Sequence, residues 1–257
     1  MRTELHFHLL PGVDDGSRDD GEAVELARLA VADGTGRVVA TPHVRQLDVS
    51  ELAGRTAELR ARLHEAGVGL EIRGSGELSP DDVPRLGDDQ LEWLALGPPG
   101  RRWLLVEAPL EPIDPGLRAA ASEVRARGYG LLIAHPERSP TTPSADVREQ
   151  AAMGAPLQIN ASSLSGAHGP ETERAALELA RSGLPFIVAS DAHSPSRPPL
   201  LTQAARALGA AGLDHGTIQA AVDTGAEQLL ADGLPAKAPA AEWPSRAGSR
   251  SAARTRG

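Results

Sequence analysis

His6 and His8 stand one residue apart near the start of the chain. Alternate side chains of an extended strand share a face, which places these imidazoles about 7 Å apart along one side of the backbone. Two imidazoles so arranged can grip one divalent cation. The Leu9-Leu10-Pro11-Gly12-Val13 string reads as the turn leaving that strand, returning Asp14 and Asp15 towards the histidines. Oxygen ligands beside imidazoles suit zinc, manganese or iron. A single His-x-His is weak evidence by itself, so the remaining chain must supply the rest.

It does so by position. Val38-Val39-Ala40 runs through Thr41-Pro42 into His43, and an expected strand at 69–73 runs through Gly74-Ser75-Gly76 to Glu77. Trp103-Leu104-Leu105-Val106 ends in Glu107, and Leu131-Leu132-Ile133-Ala134 in His135-Pro136-Glu137-Arg138. Leu157-Gln158-Ile159 ends in Asn160, and Phe186-Ile187-Val188-Ala189 in Ser190-Asp191-Ala192-His193. Each polar residue alone is most simply a capped or hydrogen-bonded group. Their repetition at the ends of successive apolar runs argues for convergence on one mouth.

Helical spacing is expected over 19–33, 49–66, 115–127, 145–153, 171–182 and 200–210. Seven strands, mostly separated by helices, predict an α/β fold: a single-domain parallel barrel with right-handed crossovers. In such barrels the carboxyl ends of the strands carry the chemistry. Pro98-Pro99-Gly100 reads as a hairpin turn, His64 and His215 as surface residues, and His168 as a neighbour of the mouth.

Composition narrows the function. The chain of 257 residues is 40% hydrophobic but only 2% aromatic, so helices packed on a Val/Leu/Ile sheet are favoured over an all-β sandwich. It contains no cysteine, which excludes disulfides, thiolate metal sites and cysteine nucleophiles. There is no uninterrupted apolar run of membrane-spanning length, and the first strand begins too early to leave room for a cleaved leader, so a cytoplasmic location is expected. The formal charge is −9; five basic residues against Glu242 give 236–257 a net +4 and leave 1–235 near −13. An acidic body is a poor nucleic-acid surface. Residues 1–235 are read as the domain, and the Ala/Pro/Ser/Arg-rich 236–257 as a disordered tail.

The strings His6-Phe7-His8, Leu10-Pro11-Gly12-Val13-Asp14-Asp15-Gly16, Ala40-Thr41-Pro42-His43, His135-Pro136-Glu137-Arg138, Gln158-Ile159-Asn160-Ala161-Ser162-Ser163-Leu164 and Ser190-Asp191-Ala192-His193 resemble the polymerase-and-histidinol-phosphatase (PHP) superfamily. Within it they look like the metal-dependent tyrosine-protein phosphatases of bacterial capsule and exopolysaccharide loci. The resemblance implies a distorted (β/α)7 barrel with two or three divalent metal ions, manganese foremost and iron or zinc as alternatives. It implies one metal on His6, His8, Glu77 and Asp191, a second sharing Glu77 with Glu107 and His135, and a third on Asp15, His43 and His193. Arg138 and Arg197 match arginines that the family uses on substrate phosphate, and Arg45 and Asn160 are weaker substrate-binding matches. The implied partner is a phosphotyrosine protein, such as the tail of a tyrosine autokinase. The alternatives are a histidinol-phosphatase-like enzyme acting on a small phosphomonoester, and a non-catalytic metal-binding accessory domain. Two departures from the family pattern, Phe7 for a small or polar residue and Glu4 for aspartate, bear on pocket width and on the surroundings of the metals.

Overall fold

The computed structural model describes residues 1–110, 116–139 and 145–236. The tail from residue 237 onward and position 115 of an expected helix lie outside the described residues.

Among the described residues, eight short strands form two wholly parallel sheets. In one, β1 (Arg2–Phe7), β2 (Thr35–Ala40) and β3 (Glu71–Gly74) lie in that order. In the other, β4 (Glu77–Leu78), β5 (Trp103–Glu107), β6 (Gly130–Ala134), β7 (Leu157–Asn160) and β8 (Phe186–Ala189) also follow chain order. The strand expected at 69–73 corresponds to β3, while Glu77, expected just beyond its end, begins a separate short strand in the other sheet.

The sheets are joined at the residues that matter for chemistry. Asp191 N donates to His6 O at 3.1 Å and His8 N to Ala192 O at 2.9 Å, tying the end of β1 to the exit of β8. At the other margin Glu77 N donates to Pro42 O at 3.0 Å, beside a parallel bridge between His43 and Glu77.

Helices α1 (Asp20–Ala32), α2 (Leu52–Glu65), α3 (Asp88–Leu94), α4 (Gly116–Ala126), α5 (Ala145–Ala152), α6 (Ala161–Leu164), α7 (Pro170–Arg181), α8 (Leu201–Ala210), α9 (His215–Gln219) and α10 (Gly225–Asp232) lie between or after the strands. None of the described helices is long and apolar enough to cross a membrane. α1 shows the local logic: Asp19 caps it by accepting from Glu22 N at 2.9 Å, and Ala23, Leu26, Ala27 and Ala30 form its buried face. The expected hairpin is present, with Leu96 and Trp103 exchanging two backbone hydrogen bonds at 2.9 Å each.

Strand side chains divide between two apolar clusters. In β5, Leu104 and Val106 join the large cluster with the helices, while Trp103 and Leu105 join a smaller one with Leu5, Val39, Leu132 and Ile187. Burial on both faces explains why these strands read as unbroken apolar runs. Trp103 is fully buried and its Nε1 donates to Leu229 O at 3.0 Å, tying α10 to the strands. Trp103→Ala is expected to destabilise the protein by about 3–5 kcal/mol, read as a lowered denaturation midpoint.

Candidate metal centre

The nine expected donors meet at the carboxyl-terminal ends of the strands. Their atoms form four overlapping groups: His6, His8 and Asp191; His6, Glu77 and His135; His43, Glu77 and Glu107; and His8, Asp15, His43 and His193. Glu77 is central. Its Oε2 lies 3.2 Å from His6 Nε2, 3.4 Å from His8 Nε2 and 3.2 Å from His43 Nδ1, and its Oε1 lies 3.0 Å from His135 Nε2. Asp191 Oδ1 is 3.3 Å from both His6 Nε2 and His8 Nε2. Asp15 Oδ1 lies 3.5 Å from His43 Nε2 and 3.4 Å from His193 Nε2. Glu107 stands farther off, 3.8 Å from His135 Nε2.

The surroundings fix which ring nitrogens face inward. His6 Nδ1 donates to Gln158 Oε1 at 2.8 Å, His8 Nδ1 to Asp14 Oδ2 at 2.7 Å and His193 Nδ1 to Asp191 O at 2.8 Å. In each, the outward N–H leaves the Nε2 lone pair for the cluster, which is how imidazole ligands are commonly oriented. His6 Nε2 and His8 Nε2 approach to 3.1 Å, and Glu77 Oε2 is buried without a hydrogen-bond donor. Lone pairs converging in this way fit a cation better than they fit one another, and the sulfur-free N/O set suits manganese, iron or zinc.

The backbone and electrostatics agree with that fit. His135 and Asp191, with φ of 31° and 51°, are the non-glycine residues at positive φ among those described. Such strain is held only where the surroundings over-determine it, commonly at functional sites. Burial alone would raise the Glu77 carboxyl, but His6, His135 and His8 hold it well below the ordinary carboxylate value. Asp191, also opposed by burial, is held low chiefly by His6 and His8. Burial opposes charge on His135 too, yet Glu77 and Asp191 hold that imidazole up at about 9. The pocket therefore stabilises positive charge placed among its donors.

Further residues support the donors, and of these Gln158 has no role legible from sequence. Gln158 Nε2 donates to Asn160 Oδ1 at 2.7 Å, and Asn160 Nδ2 to Asp191 Oδ2 at 2.8 Å. A continuous amide chain thus connects His6 to Asp191. Asn160, expected at the substrate, is fully buried and absent from the cavity lining; it holds Asp191 instead. Asp14 accepts from His8, from His43 N at 2.8 Å and from Gly16 N at 3.0 Å. Gly16 is needed there, because a Cβ would come within 2.4 Å of His8 O. Asp14→Ala is expected to weaken divalent-metal binding about 10–100-fold, measured by calorimetric titration of the stripped protein.

Glu4 is fully buried, and its Oε2 accepts from Ser190 N at 2.7 Å beside Asp191. Burial pushes its carboxyl up to about 7 against that hydrogen bond. Phe7 lies in the large apolar cluster and does not line the cavity, so its bulk does not narrow the mouth. His64 and His215 are exposed. His168, half-buried, pairs through Nε2 with Ser162 Oγ at 3.0 Å.

Above the donors lies a cavity of about 320 Å³ whose lining includes Arg45, Arg138 and Arg197. Arg138 Nη1 is 3.2 Å and Arg197 Nη2 3.6 Å from Asp191 Oδ2. Arg45 is exposed at the rim.

A family model described as "Capsular polysaccharide synthesis, CpsB/CapC" matches residues 2–229. The chain belongs to the CpsB/CapC family. CpsB/CapC relatives include tyrosine-protein phosphatase YwqE of Bacillus subtilis, 30% identical over 208 residues that cover 74% of this chain and 77% of the relative. The putative tyrosine-protein phosphatase CapC of Staphylococcus aureus is 30% identical over 210 residues, covering 78% of this chain and 81% of the relative. Among solved structures, one from a description of YwqE from Bacillus subtilis and CpsB from Streptococcus pneumoniae as "unique metal-dependent tyrosine phosphatases" superposes with a TM-score of 0.77 at 25% identity, covering 90% of this chain and 95% of that one.

Proposed function

We propose that this CpsB/CapC chain is a divalent-metal-dependent phosphatase that hydrolyses protein phosphotyrosine. The observation that carries the reading is the gathering of nine N/O donors beneath a cavity that also presents Arg138 and Arg197. The relatives' names as tyrosine-protein phosphatases support it. The two sheets, joined at His6/Asp191 and Pro42/Glu77, are read as one distorted (β/α)7 barrel. The substrate is read as the phosphorylated tail of a tyrosine autokinase in polysaccharide synthesis, the metal as manganese and the location as the cytoplasm.

The metals would be held by His6, His8, Asp15, His43, Glu77, Glu107, His135, Asp191 and His193. Bound there, divalent cations supply Lewis-acid charge for the phosphoryl oxygens and acidify water enough for attack on phosphorus near neutral pH. The protein's own groups do the rest. Arg138 and Arg197 offer guanidinium N–H donors to the phosphoryl oxygens and offset charge that grows towards the transition state. Asn160 and Gln158 keep Asp191 and His6 in register during this, as Asp14 does for His8. A phenol has a pKa of about 10, so a phenolate leaves without a strong general acid.

The complete donor set, with both arginines beside it, argues against an accessory domain without turnover. The test is hydrolysis of a phosphotyrosine peptide, an aryl phosphate and an alkyl phosphate by metal-stripped protein before and after manganese is restored. Metal-restored activity favouring the aryl and phosphotyrosine esters is expected. Equal or greater activity on the alkyl ester would overturn the phosphotyrosine assignment.

A further inference from the structure

The cavity wall carries both guanidinium groups and apolar surface. Arg138 stands on the segment leaving β6 and Arg197 on the segment following β8, both turned towards Asp191 Oδ2. Pro80, Pro109 and Leu110 also line the cavity, and they leave the neighbouring strands β4 and β5. Because the sheet runs β4-β5-β6-β7-β8, these apolar residues occupy one end of the row of strand exits, while Arg138 and Arg197 belong to exits farther along it and the exposed Arg45 lines the cavity from the His43 side. Leu110 is 43% exposed, and of the large hydrophobic side chains left exposed among the described residues it alone lines this cavity.

An arrangement of cations and guanidiniums binds the dianion of any phosphomonoester and says little about the carbon group attached to it. Discrimination on that side needs apolar surface beyond the phosphoryl group. Two prolines have fixed φ and almost no side-chain freedom to lose, so they form a rigid ledge, and Leu110 adds a broad aliphatic face. A phenyl ring is flat, apolar and large enough to cover such a face.

Resting on the phosphatase reading above, we propose that Leu110, backed by Pro80 and Pro109, determines specificity: it is the wall on which the substrate's aryl ring lies while Arg138 and Arg197 hold the phosphoryl group. The wall thereby favours phosphotyrosine over alkyl phosphates by binding as well as by leaving-group chemistry.

Non-hydrolysable probes separate these two sources of preference. Binding of phenylphosphonate and methylphosphonate to manganese-loaded protein is measured by calorimetry for wild type, Leu110→Ala and Leu110→Met. Leu110→Ala is expected to weaken phenylphosphonate roughly tenfold and leave methylphosphonate within about twofold, with Leu110→Met restoring most of the loss. Equal weakening of both probes, or none of either, would overturn the assignment; the latter is also the result expected if Leu110 touches only the protein part of the substrate. Wild-type protein that binds neither probe would instead overturn the phosphatase reading on which the inference rests.

Discussion

Glu77→Gln is expected to lower metal-restored aryl phosphate hydrolysis by a factor on the order of 10³ or more, with the protein still folded. The substitution keeps the side chain's size and removes one negative charge from a point that four imidazoles face. Glu77 Oε2 lies within 3.4 Å of nitrogens of His6, His8 and His43, and Oε1 lies 3.0 Å from His135. An amide NH2 in either position would turn an N–H towards lone pairs that should converge on a cation. The bound-metal stoichiometry should therefore fall by at least one ion per chain. Circular dichroism establishes folding and elemental analysis the metal content. Activity within about tenfold of wild type at full metal loading would remove Glu77 from the centre of the site.

The second large effect belongs to Arg138. Its guanidinium reaches Asp191 Oδ2 at 3.2 Å from the cavity wall, where phosphoryl oxygens of a substrate would share its donors. A hydrogen bond to a charged group contributes about 1.5–3 kcal/mol, so Arg138→Ala should reduce kcat/KM for an aryl phosphate about 10–100-fold, with KM raised by the lost ground-state contact and kcat lowered by the lost transition-state stabilisation. Arg138→Lys should recover only part of this, because an ammonium is a point donor without the planar fork. Metal content should remain at the wild-type level, which distinguishes this defect from that of Glu77→Gln. A KM raised less than about twofold with turnover unchanged would end the phosphate-binding role.

The candidate site was more legible in the sequence than the supports around it. A ligand at the end of a strand leaves a local trace, since His43, Glu107 and His135 each interrupt or end an apolar run. Supporting residues leave less. Gln158 is one polar residue within a strand, and its role depends on His6, which lies 152 positions away. Asn160 ends a strand as the ligands do, but its burial against Asp191 is a tertiary fact. Asp14 and Asp15 are indistinguishable by type; the turn through Gly16 is what sends one to support His8 and the other to the open side of the cluster.

The fold divides along the same line. α1, α7 and α8 carry clear periodicity and fall close to their expected limits. The helical segments from His215 to Asp232 are not among those that spacing defines, because Gly216 and Gly225 weaken the local signal. Packing explains Gly225: a Cβ there would lie 2.5 Å from Ala220 O and 3.1 Å from Ile187 Cγ2. The glycine permits a close approach to β8 that helix propensity alone argues against. Similarly, Gly74-Ser75-Gly76 gave no indication that Glu71–Gly74 and Glu77–Leu78 would join different sheets.

The most direct test of the central claim is a titration of chelator-stripped protein with manganese, following heat and aryl phosphate hydrolysis on the same sample. The donor cluster predicts saturation at two to three ions per chain, with activity absent from the stripped protein and rising as the sites fill. Full activity in protein shown to be free of metal, or binding of less than one ion per chain at the end of the titration, would contradict it.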